Sequence, residues 1–427
     1  MEIALILFYC ILGVLWILRG KIWAKSRIKR QVLAALFLVK VSLGIVYGLA
    51  YYEYYQTGDI VHYHKDSELI YSTLPEKPGD YLQLTFGYSR SGEVPPHLSY
   101  IYDEMRLSWR TQEYTLVRVN SLFNLFSFGH YYVNVVFMSL ISLVGLILLH
   151  EAFSSAFPKR SGHLLMSICF IPSTLFWCSG IHKDGITLFA LSVLIYAVSV
   201  LARKPKSMWV LAAGFAAFLL WNTRAYSLLI LLPNLMIYWW CLKKPGKNWL
   251  RFFVVNLILL FAFAEIHHFV PRLNFLAKLA FEQEFLLNLK GNTHLAMRPI
   301  GNSVWSLASN IPMALDHLFL KPIFHKPDNS FQWIAAVDNA IQLILLIGLL
   351  CFTNLKRISK HPLLPLAFFF SCTLLLLIGI SVPSLGAIVR YKSVALPFLF
   401  AIALIFSDPK KWPKWLPSGK AFVKENE

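Results

Sequence analysis

Apolar runs of membrane-spanning length, separated by loops in which acidic and basic residues are sorted apart, constrain this chain more than any other feature. A lipid bilayer imposes that pattern. Inside hydrocarbon each backbone polar group must be satisfied within its own segment, so each run folds as a helix of roughly 20 residues, fewer where the bilayer adapts. The runs are 3–18, 33–52, 131–150, 163–180, 186–202, 208–222, 226–241, 250–266, 332–352, 363–381 and 394–407, which predicts an all-α polytopic bundle of about eleven crossings forming a single transmembrane domain over 1–427. A hydrophobic content of 57% and a mean hydropathy of +0.57 exclude an ordinary soluble protein.

Charge supplies the orientation. The net charge of +18 lies mostly in short loops between apolar runs, Arg19 to Arg30, Arg203 to Lys206, Lys243 to Arg251, Lys356 to Lys360 and Lys410 to Lys424. The positive-inside rule accounts for that excess without a nucleic-acid partner. Eleven crossings then put the N-terminus outside and the basic C-terminal tail in the cytoplasm. The first run carries Glu2 ahead of it and its basic cluster behind it, with no small-residue cleavage site, and so reads as a retained span rather than a signal peptide. The six cysteines fall in or at the ends of apolar runs with no CxxC pair, so the spacing indicates neither a disulfide framework nor a zinc site.

Two long outer segments remain, 53–130 and 267–331. The first holds ten Asp or Glu against six Lys or Arg, and turn residues at Pro75 to Asp80 and Pro95-Pro96. Tyr114 to Phe128, and Leu273 to Leu289 in the second segment, show helical apolar spacing suited to interfacial helices. Both segments read as caps on the outer face.

No P-loop, GxGxxG or HExxH is present, and the inner loops are short, basic and almost free of acids, leaving little to hold a metal nucleotide. Chemistry is therefore expected on the outer face, with a lipid-borne donor. Asp59, in Thr57-Gly58-Asp59, follows the end of the second span by seven residues, which holds a carboxylate near the membrane surface where a general base for a sugar hydroxyl must sit. A helix cap is the alternative role. Asp66 and His62 are candidate substrate contacts on the same stretch; His62 and His64 lack the matching cluster that a metal site needs. The hairpin Ser179-Gly180-Ile181-His182-Lys183-Asp184 offers Lys183 to a phosphate at a helix start, where Asp184 is also a standard capping choice. Arg224 interrupts a nearly unbroken apolar stretch and must find water, a headgroup or an anion. Its planar fork suits a phosphate. Arg390 beside Tyr391 repeats that arrangement before the last span, with Arg298 and Lys321 as loop cations of the second outer segment. Lys40 and Glu265, set within spans, suit either a transport path or a contact buried in the bundle. Tyr51, Tyr52, Tyr54 and Tyr55 suit an interfacial belt or a sugar platform.

The layout resembles the integral-membrane glycosyltransferases of the GT-C superfamily, especially the divergent bacterial members of the dolichyl-phosphate-mannose-mannosyltransferase-like kind. The matching features are Asp59 in Thr57-Gly58-Asp59, the helix-like segment Arg118 to Phe128, the hairpin Ser179 to Asp184, and Arg390-Tyr391. The resemblance implies a polyprenyl-phosphate-linked sugar donor, a glycan, lipid or protein acceptor of the cell envelope, and surrounding membrane lipids as partners. With no metal signature in the sequence no cofactor is expected, and the residues leave room for a divalent cation at Asp59. Two departures stand out: the acid follows the second span rather than the first, and Ile60 replaces the second acid of the family's pair. O-antigen polymerase-like proteins share the layout, and on that reading Arg224, Arg298 and Arg390 carry the function. A lipid-glycan flippase is a further alternative.

Overall fold

A computed structural model describes residues 1–56, 58–87, 95–107, 111–288, 293–324, 330–353, 360–408, 411–412 and 419–424. Thr57, Leu289, and Lys356, Lys410 and Lys414 of the basic loops lie outside the described residues. The described chain is helical, with isolated β-bridges but no strand among those residues. Among the described residues, eight helices are long and apolar enough to cross a membrane, nine if a pair bent by 56° counts as one span. This is a multi-pass membrane protein.

The chain divides into two compact units. The first comprises Met1–Ala152, Thr174–Leu228 and Gly419–Glu427. Its helices are α1 (Glu2–Arg19), α2 (Arg30–Leu49, continued by a π-helical turn Ala50–Tyr54), α3 (Asp59–Ser72), α4 (Pro78–Phe86), α5 (Thr111–Ser127), most of α6 (Tyr131–Ala156), α7 (Lys183–Leu201) and the first part of α8 (Ser207–Lys243). The second unit, Phe153–Ser173 with Leu229–Ser418, holds the end of α8 and then α9 (Asn248–Glu265), α10 (Phe275–Asn288), α11 (Val304–Leu315), α12 (Ser330–Cys351), α13 (Leu363–Ser381), α14 (Leu385–Lys392) and α15 (Leu396–Phe406).

The difference from eleven expected crossings has two local causes. The expected span 163–180 is two short helices, Ser161–Cys169 and Pro172–Trp177. Pro172 supplies no N–H to the turn before it and forces the preceding residue out of helical geometry, so one continuous helix cannot form there. The expected spans 208–222 and 226–241 are one element, α8, interrupted at Arg224, whose φ of −147° and ψ of 72° are not helical. A straight helix of 37 residues would be about 55 Å long against the ~30 Å of bilayer hydrocarbon, and the break at Arg224 divides that length.

Burial separates core helices from lipid-facing ones. Of the most apolar stretches of α6, α7 and α13, 67–72% is buried, against 11–17% for α1, α9 and α12. Phe253, Leu257, Ile258 and Phe261 on α9 are exposed. In water such a face would aggregate; in lipid it needs no partner.

Close packing in the first unit depends on small residues. Any Cβ on Gly44 of α2 would stand 2.7 Å from the Ser179 carbonyl oxygen, and one on Gly145 of α6 would stand 2.7 Å from the Cα of Phe189 in α7. The first outer segment is folded against the bundle rather than spread over it. α3 lies along α5, whose Leu116 and Val117 are fully buried while Phe126 stays exposed. A polar seam fixes their register: Ser67 Oγ accepts from Asn120 (3.0 Å) and Asn124 (3.2 Å), and Asn134 donates to Asn124 Oδ1 (2.6 Å). The helices expected at Tyr114 to Phe128 and Leu273 to Leu289 are present as α5 and α10.

In the second unit Gly379 of α13 lets Ala314 of α11 approach, since an added Cβ would stand 2.8 Å from the alanine methyl. Ile300, Ala314 and Ile380 form the local core. Gln283 of α10 donates to the carbonyls of Arg298 and Ile380 at 3.2 and 2.9 Å, tying the second outer segment to α13.

Candidate functional site

The site in the first unit begins with a glycine. Gly58 has φ of 128°, a conformation that side chains rarely adopt, and an added Cβ would also strike the Tyr51 ring at 2.6 Å. This turn reverses the chain leaving α2 and its wide π-helical end, and starts α3 at Asp59. The Asp59 carboxylate, 53% exposed, occupies the first turn of α3, where the helix dipole favours an anion.

From Asp59 a chain of polar groups leads inward. Its Oδ2 lies 3.8 Å from Nε2 of His182, which is completely buried. His182 Nδ1 lies 2.9 Å from Asp184 Oδ2, off the axis of a regular hydrogen bond. Asp184 Oδ1 in turn accepts from Arg224 at 2.6 Å, and Arg224 donates to Tyr226 Oη at 2.5 Å. Asp184 is fully buried and the Arg224 side chain is 6% exposed, so each charge needs the other in a low-dielectric setting. The non-helical backbone at Arg224 is what turns its side chain out of the α8 ladder toward Asp184.

The hairpin that carries His182 is clamped from below. Lys40 of α2, fully buried, donates to Ser179 Oγ at 3.0 Å and to the Cys178 carbonyl at 3.3 Å, while Ser139 Oγ donates to the Ser179 carbonyl at 3.1 Å. Tyr47 packs on Phe176 and Trp177 and covers Gly180. The Lys40 contact is therefore one within the bundle.

The other expected residues fall as follows. Lys183 pairs with Glu113 of α5 at 2.8 Å. Asp66 is buried and accepts from the backbone N–H groups of Arg106 (3.2 Å) and Leu107 (2.8 Å). Burial pushes its carboxyl above the usual range, and those two donors oppose the shift. His62 lies with Asp66, Lys65, Glu68, Glu104 and Arg106 along a cleft of about 560 Å³; burial and the Arg106 charge lower its pKa, with Asp66 and Asp59 opposing. His64 is buried beside Tyr131, and its pKa is pushed down to about 4 by burial, with His130 adding to the effect. Arg298, Arg390 and Tyr391 belong to the second unit. Arg298 donates to the Ser309 carbonyl at 2.9 Å, and the Arg390 guanidinium lies 5.0 Å from the Tyr391 ring centre.

Asp59, Lys183 and Arg224 are thus brought to one hairpin, with both cations already paired to acids. His182 and Glu113 had no assigned role in the sequence. The histidine's signal was its place beside Asp184 in a tight outer hairpin; Glu113 gave none, because its partner is 70 residues away. Among the described residues no group of three or more His, Cys, Asp or Glu is arranged to hold a metal, and Asp184 is paired with Arg224. Comparison with family models, curated proteins and solved structures finds no match.

Proposed function

We propose that this protein is a membrane glycosyltransferase, resembling the GT-C superfamily, that moves a sugar from a polyprenyl-phosphate-linked donor to a cell-envelope glycan, lipid or protein acceptor. The reaction is placed on the outer face of the cytoplasmic membrane, with the N-terminus outside and the C-terminus in the cytoplasm. The observation that carries the reading is Asp59, a half-exposed carboxylate backed by the buried His182, Asp184 and Arg224. Asp59 takes the proton of the acceptor hydroxyl as that oxygen attacks the anomeric carbon. The bond from that carbon to the phosphate oxygen breaks, and the lipid phosphate leaves with the electron pair. His182 steadies the carboxylate, and the Arg224–Asp184 pair holds that histidine's hairpin behind it. Lys183, paired with Glu113 at 2.8 Å, is the cation of this hairpin assigned to the leaving phosphate, which it meets by exchanging Glu113 for the donor.

The test is transfer of radiolabelled sugar from a polyprenyl-phosphate donor to a lipid-linked acceptor in membranes bearing Asp59→Asn. Loss of about 10²–10⁴-fold is expected for removal of a general base. Undiminished transfer would overturn the assignment. The polymerase alternative is separated by Arg390→Ala, which on that reading costs more activity than Asp59→Asn.

A further inference from the structure

The cleft of about 560 Å³ beside α3 has no part in the proton and phosphate chemistry above. The helix gives it His62, Lys65, Asp66, Leu69 and Ser72, a spacing of three and four residues that marks one helical face. Asp59 heads the same face one turn before His62, and acts on it electrostatically. From His62 to Ser72 that face is about 15 Å long.

The other wall is a turn in which Met105 and Leu107 are buried, 4% and 7% exposed, while Glu104 and Arg106 between them stay exposed and line the cleft. Asp66 holds this wall to α3 by accepting from the backbone N–H groups of Arg106 at 3.2 Å and Leu107 at 2.8 Å. The contact engages the main chain of Arg106, not its guanidinium. Behind α3, Ser67 is tied to Asn120 and Asn124 of α5, which stops the helix from turning its polar face away. Both walls are thus fixed by groups other than the exposed charges between them.

We infer that this cleft is the acceptor subsite, and that it takes a neutral, hydroxyl-rich glycan chain laid along α3 with its reacting end at Asp59. Calling that glycan the acceptor rests on the transferase reading above. A sugar hydroxyl both gives and takes a hydrogen bond. Glu68 and Glu104 supply acceptors, Lys65 and Arg106 supply donors, and Ser72 supplies both. Two carboxylates set among two cations repel a phosphate as much as they attract it, so the donor's headgroup belongs with Lys183 at the hairpin. Leu69 gives the one apolar side chain among the described lining residues, enough for the C–H face of a sugar and too little for a polyprenyl chain. The volume falls within the ~300–1,000 Å³ of small-ligand sites. Asp66 is on this account a positioning residue, which sets the distance between the walls.

Glu104→Gln and Arg106→Ala alter exposed side chains and leave the Asp66 bonds in place. With the full-length protein in liposomes, each should raise the acceptor KM about tenfold, which is what one hydrogen bond to a charged group contributes, while kcat and donor KM barely move. An unchanged acceptor KM, or a rise in donor KM instead, would overturn the subsite. Photolabelling gives a readout that needs no turnover. The acceptor's glycan, cut from its lipid and carrying a diazirine, should label the peptides of α3 and of 104–107 in the wild type and equally in Asp59→Asn. Labelling should drop about tenfold in Glu104→Gln and Arg106→Ala at sub-saturating glycan. Label elsewhere, or none, ends the proposal even where Asp59 proves to be the base. Label in the cleft alongside an active Asp59→Asn removes the base and leaves the subsite standing.

Discussion

Arg224 and Asp184 meet at 2.6 Å with side chains 6% and 0% exposed, an ion pair that closes a break in one helix onto the first turn of another. Removing one member leaves the other charged and buried. Arg224→Leu should therefore cost about 3–5 kcal/mol of stability. The double variant with Asp184→Asn should recover part of it. Thermal unfolding in detergent measures both, and a double variant no better than the single would show that the pair is not what holds this junction.

His64 makes the first outer segment acid-sensitive. The unfolded chain protonates it near its ordinary value of 6.5, the folded chain only near 4, so the unfolded state binds the proton first as pH falls. Stability is full above about pH 6.5 and is lost progressively toward pH 4, by at most about 3 kcal/mol. His64→Phe should flatten that loss in melting curves taken at pH 7 and pH 5. Asp66, whose carboxyl is raised by burial, works in the opposite sense and weakens the fold as pH rises through its titration.

Gly44 and Gly214 make a matched pair of substitutions. Alanine at Gly44 drives a methyl into the Ser179 carbonyl oxygen at 2.7 Å and Val135 at 2.6 Å, and should destabilise by about 1–3 kcal/mol. At Gly214 nothing lies within 4 Å of the added carbon, so Gly214→Ala should be neutral or stabilise by up to about 1 kcal/mol. Melting temperatures of the two variants in one detergent decide it.

Lys40→Met removes the donor to Ser179 Oγ and the Cys178 carbonyl while leaving Asp59 untouched. The hairpin that carries His182 should shift, and a displacement of about 1 Å is enough to cost ~10²-fold in rate. Sugar transfer should fall with donor KM little changed. A variant with full transfer activity would show that the lysine anchors helices and nothing more.

Much of the fold was legible in the sequence because lipid leaves so few solutions: apolar length gave the spans, and helical spacing gave α5 and α10. The crossing count was less legible. Pro172 and Arg224 act through local backbone geometry, and a hydropathy run does not say whether a break bends a helix or ends it. At the site, Asp59, Lys183 and Arg224 could be chosen by chemistry and position. Their partners could not, since Glu113 and Asp184 are brought to them by tertiary packing across 70 and 40 residues. An arginine that looked open to a phosphate is neutralised by an acid that looked like a helix cap.

The wide turn at Ala50–Tyr54 has a consequence for related chains. An α-helix rotates by about 100° per residue, so a homologue shorter by one residue there would close the turn as ordinary helix. Lys40 beneath the hairpin and Tyr51 beneath Gly58 could not then both keep their neighbours. Indels at this point should accordingly appear together with changes at one of those two contacts, leaving a paired signature in any set of relatives.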